Sequence, residues 1–114
     1  MKGGAAMTKQ EIIEIVQSMD HQSDFKNYYQ FAHSYLLHMR INGITDPDVF
    51  WNVIKHCQQT ADHPNTIQAV GFSGKGNPSD IKRWCAYLLN QKELAAAGTD
   101  DLCSIFGYCA HLGK

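Results

Sequence analysis

Six histidines and four cysteines are the side chains in this 114-residue chain best suited to hold a metal or attack a carbon. Zinc ligands usually show themselves as Cys-x2–4-Cys or His-x3–5-His pairs that share one turn or knuckle. His33 and His38 are five residues apart, so on a helix they point well away from each other. Cys103 and Cys109 are out of alignment by about 120° at 100° per residue, and Cys109 and His111 nearly oppose each other. His56 and Cys57 meet His63 only if the loop between them folds back. The expectation is no metal site and no cofactor.

Covalent and acid–base chemistry fare no better. A Cys57–His63 pair has the right residue types, but nothing in the sequence supplies a third group to orient the imidazole. Asp46 and Asp48 flank Pro47 at a helix start, and Asp100 and Asp101 open another helix, so the helix dipole accounts for both carboxylate pairs. Gly71-Phe72-Ser73-Gly74-Lys75 is one residue short of a nucleophile elbow, which has glycine at its fifth position and a large α/β sheet behind it. Glycines and a lysine before a helix suit a phosphate. No Gly-Lys-Ser/Thr ends this segment, however, and no buried parallel strand leads into it. No catalytic residue is expected.

The elements that must position these side chains are helices. Thr8-Lys9-Gln10-Glu11 has capping-box spacing, and Ile12, Ile15, Val16 and Met19 recur behind it, predicting a helix over 9–19. A second helix starts near Ser23-Asp24 and stops at Asn42-Gly43, glycine taking the left-handed turn. Its stripe is Phe25, Tyr28, Ala32, Tyr35, Leu36 and Met39, while Tyr29, Phe31, Leu37 and Ile41 lie off it. So much apolar circumference places this helix at the bundle centre or against a partner. Asp46-Pro47-Asp48 opens the third helix, which buries Val49, Phe50, Val53, Ile54 and Cys57 with Trp51 alongside and frays near Thr60. Asn77-Pro78-Ser79-Asp80 opens the fourth, with Ile81, Trp84, Cys85 and Leu88 as its stripe. Helix-forming residues 91–97 carry it on to Gly98, with a break near Gln91 as the alternative. Thr99 caps a fifth, which packs through Leu102, Ile105, Phe106, Cys109 and Leu112.

The fold expected is therefore all-α: a compact single-domain bundle of about five helices, with one long Gly-rich loop over 61–78 between helices three and four. Thr66–Phe72 alternates like a strand but has nothing to pair with. Residues 1–7 read as a flexible leader or vector remnant, and 8–114 as one helical domain. The absence of a signal-peptide pattern points to the cytoplasm, where the four thiols are expected to stay reduced and to act as buried small hydrophobes. No stretch reaches the 18 or so apolar residues of a membrane span.

Charge is uneven beneath a net of −1. Lys75, Lys82, Arg83 and Lys92 face only Asp80 over residues 75–92, whereas the flanking segments are acidic. Arg83, Ala86 and Asn90 share an exposed helical face there. This patch suits a phosphate backbone. A helix-turn-helix built on 100–112 would instead present Asp100 and Asp101 to DNA, which is repulsive.

Without catalytic or metal motifs, the function expected is that of a non-enzymatic protein-binding module: an adaptor, an inhibitor or an assembly subunit. Phe72, Lys75, Lys82, Arg83 and Asn90 are its candidate partner-binding residues. Nucleic-acid association through the basic loop and the helix within 75–92 is the alternative. Self-association is compatible with either, and no membrane partner is expected.

Overall fold

The computed structural model describes residues 7–19, 25–60 and 78–112, and these are helical from end to end with short turns between. In chain order the helices are α1 (Lys9–Ser18), α2 (Lys26–Ile41), α3 (Pro47–Thr60), α4 (Pro78–Leu89), α5 (Lys92–Ala95) and α6 (Thr99–Leu112). No strand occurs among the described residues. The 13.5 Å radius of gyration matches the roughly 13 Å of a folded chain this long. The protein is an all-α single domain.

Local chemistry sets most helix ends. At α1 the Thr8 hydroxyl accepts from the Glu11 N–H at 3.1 Å, and the Glu11 carboxylate accepts from the Thr8 N–H at 2.9 Å. Two donors that would lack partners in a helix first turn are thereby satisfied. At α3 the Asp46 carboxylate accepts from the Asp48 N–H at 2.9 Å. Helix α2 ends in a Schellman turn. The Ile44 N–H donates to Met39 O at 2.9 Å and the Gly43 N–H donates to Arg40 O at 3.1 Å, with Gly43 at φ +72°. That left-handed conformation costs a side-chain-bearing residue far more than it costs glycine.

The structure divides what the sequence reads as one fourth helix into two, giving six helices among the described residues. Helix α4 stops at Leu89, the Asn90 N–H closes back on Ala86 O and Tyr87 O, and Gln91 is extended (φ −88°, ψ 105°) before α5 begins. The reason is the position of Leu94. Six residues beyond Leu88, it would lie about 120° off the Ile81–Trp84–Cys85–Leu88 stripe on an unbroken helix. The break re-aims it, and Leu94 is fully buried. Burying a leucine is worth about 1.5–3 kcal/mol, more than the good helix propensity of the residues around the break offers. A smaller correction concerns α6: the Leu102 N–H donates to Gly98 O at 2.9 Å, so Gly98 is the cap and Thr99 the first helical residue.

Helix α2 packs along α6, α3 packs on α4, and α1 packs on α6. Aromatic rings link these layers. Tyr28 and Tyr29 lie 5.7 and 5.8 Å from Trp84 of α4, Tyr29 lies 6.1 Å from Phe106 of α6, and Phe106 lies 5.5 Å from Phe50 of α3. Tilted and edge-on ring pairs at such distances add about 0.5–1.5 kcal/mol each beyond their area burial. Tyr29 and Phe31, off the main stripe in sequence, are core residues, whereas Leu37 and Ile41 are not. Met7, at the edge of the leader, packs partly against the core, and its backbone N–H donates to Asp101 Oδ2 at 3.1 Å.

Candidate binding surfaces

The thiols sit where burial suppresses their chemistry. Cys57, Cys85, Cys103 and Cys109 are all buried and free. Desolvation pushes Cys57 up to about 11 and Cys109 up to about 12. It raises Cys85 and Cys103 as well, Cys85 further through the neighbouring Cys57 and Cys103 against the pull of Arg40. A thiol must lose its proton to act as a nucleophile or metal ligand, and all four keep theirs at neutral pH. His63, the proposed partner of Cys57, lies outside the described residues. Among the described residues, no three His, Cys, Asp or Glu side chains come together to hold an ion.

The structure does bring two histidines together that the sequence keeps apart. His33 of α2 lies over Gly107 of α6. Its pKa is lowered, first by burial and then by the charge of His111 on the same α6. Gly107 has no side chain, which is what lets the imidazole approach the α6 backbone.

Of the five residues assigned to partner binding, Phe72 and Lys75 lie outside the described residues. Lys82, Arg83 and Asn90 belong to α4 and its C-terminal turn; Arg83 and Asn90 are exposed and Lys82 is half-buried. Arg83 is held in place rather than extended into solvent. Its guanidinium pairs with Asp80 at 3.1 Å and lies 5.2 Å over the Phe25 ring. The local field is therefore weaker than a count of cations suggests, because Asp80 offsets one of them.

Two other surfaces emerge. The first is an apolar ridge at the end of α2. Leu37 and Ile41 are one turn apart on the same side, and Ile44 follows the Schellman turn. Ile41 is 82% exposed, and Leu37 and Ile44 are each 37% exposed. The second is a groove of about 420 Å³ between α1 and α5, lined by Met7, Ile15 and Ala96 together with Glu11, Glu14 and Glu93, and closed by Ser18. The signal for the ridge was in the sequence, as apolar residues off the α2 stripe. The groove had no such signal, since it depends on the break before α5.

No protein-family model matches the chain, and neither a curated protein nor a solved structure matches it. No helix among the described residues is long and apolar enough to cross a membrane.

Proposed function

We propose that this protein is a non-enzymatic protein-binding module, acting as an adaptor, inhibitor or assembly subunit. The observation that carries the reading is the Leu37–Ile41–Ile44 ridge. A domain with a well-filled core has no folding reason to present an isoleucine that is 82% exposed, with a leucine one turn before it. Clustered apolar exposure of this kind suits an interface core. The neighbouring Arg40–Asp100 pair, 3.9 Å apart and open to solvent, supplies the polar rim that such interfaces carry.

The test is capture of partners by the tagged protein from source lysate, with and without nuclease, beside an Ile41→Glu variant. A stoichiometric partner that survives nuclease and is lost with Ile41→Glu supports the reading. Material lost on nuclease treatment but kept by Ile41→Glu refutes it and favours the second reading, phosphate-backbone binding by Lys82 and Arg83. That second reading is supported by the two cations adjacent in sequence on α4. It ranks below the first because Asp80 and Phe25 already engage Arg83.

A further inference from the structure

The groove between α1 and α5 has both an apolar floor and a rim of one sign. Met7, Ile15 and Ala96 supply the floor, and Glu11, Glu14 and Glu93 supply the rim. On α1 the lining follows one helical face, Glu11, Glu14, Ile15 and Ser18, which adjoins the core stripe of Ile12 and Val16 through the half-buried Ile15. Glu93 and Ala96 close the other side from α5 and the residue after it. The face spans about two turns, roughly the length over which a docked helix presents its i, i+3 and i+4 anchors.

Among the described residues no cation neutralises the rim carboxylates. Glu11 accepts from the Thr8 N–H and Glu14 accepts from the Gln10 amide at 3.3 Å. Both are neutral donors. None of the three carboxylates forms a salt bridge to another described residue, whereas Arg40 and Arg83 are paired with Asp100 and Asp80 elsewhere. Three like charges around an apolar slot repel an acidic ligand and favour a cationic one.

We infer that the α1–α5 groove docks a basic amphipathic helix of a partner protein, one apolar side chain entering between Ile15 and Ala96 while flanking Lys or Arg side chains meet Glu14 and Glu93. The inference rests on the protein-binding reading and adds a partner chemistry at a surface separate from the α2 ridge. Met7, part of the floor, is tied in place by its N–H bond to Asp101.

The test uses the full chain and three labelled 18-residue peptides: an amphipathic Leu/Lys helix, its Leu/Glu counterpart, and a Leu/Lys scramble without an apolar face. Fluorescence anisotropy reads binding, and amide NMR shifts locate it. The Leu/Lys helix is expected to bind in low salt with shifts confined to α1 and α5, and the other two peptides to bind at least tenfold more weakly. Glu14→Gln with Glu93→Gln should weaken binding about three- to tenfold, and Ala96→Trp should abolish it by filling the slot. Both changes are at exposed positions, so circular dichroism should report an unchanged fold. Failure of the Leu/Lys helix to bind, or equal binding of the scramble, overturns the inference. Shifts that map to Leu37 and Ile41 and ignore the glutamine changes also overturn it, while leaving the protein-binding reading standing.

Discussion

Replacing Gly107 with alanine tests the close approach of His33 on α2 to the backbone of α6. A Cβ at that position stands 3.1 Å from His33 Nε2, 3.4 Å from Cδ2 and 3.5 Å from Cε1. In the middle of α6, alanine should gain about 1 kcal/mol over glycine from helix propensity alone. The first of those distances is too short, so the imidazole must swing by a few tenths of an ångström. His33 is half-buried, and forcing its ring off a preferred rotamer costs about 0.5–1.5 kcal/mol. The two effects nearly cancel, so Gly107→Ala alone should leave stability within about 0.5 kcal/mol of wild type. In a His33→Ala background the obstruction is gone and the same change should stabilise by about 1 kcal/mol. Urea denaturation of the four proteins at pH 7.5 closes the cycle, with an expected coupling of about 1 kcal/mol. Equal stabilisation by alanine in both backgrounds would refute the packing described for α2 on α6.

Three further outcomes follow from the same structure. Gly43→Ala should cost about 1 kcal/mol, because no neighbouring atom lies within 4 Å and the left-handed φ alone is penalised; a neutral result in denaturant titration would contradict the Schellman turn. A thiol-reactive dye at pH 8 should label none of the four buried cysteines in the native state and all of them in denaturant; rapid native labelling of Cys57 would contradict its burial. The lowered pKa of His33 means the unfolded chain takes that proton first, so the His33 contribution is complete above about pH 6.5 and is lost as pH falls below it. NMR titration should place the His33 midpoint below that of a free histidine and higher in His111→Gln; a midpoint at or above the free value contradicts the shift.

Much of the fold was legible because local chemistry and periodicity agree. Thr8 and Glu11 set the start of α1 as their spacing requires, and Gly43 takes the left-handed turn that ends α2. The α4 stripe, Ile81, Trp84, Cys85 and Leu88, is wholly buried. What misled was propensity after Gln91: residues 91–97 are good helix formers, yet the angular position of Leu94 decides that the helix must break. The off-stripe residues of α2 divide for a reason no single helix contains. Tyr29 is buried because Trp84 and Phe106 reach it from two other helices, while Ile41 has no such cover. Sequence counted Lys82 and Arg83 in a net-basic segment with Asp80, without the i,i+3 contact by which Asp80 ties down Arg83.

The central claim is that an apolar protein contact at the α2 ridge, rather than a phosphate backbone, gives this domain its partner. The direct measurement is the affinity of the captured partner across a decade of salt, for wild type, Ile41→Glu, and Lys82→Glu with Arg83→Glu. Affinity should be nearly constant with salt, lost with Ile41→Glu, and little changed in the α4 variant. A fall of about one logarithmic unit per phosphate contact over that decade, abolished binding in the α4 variant and intact binding by Ile41→Glu would contradict that claim.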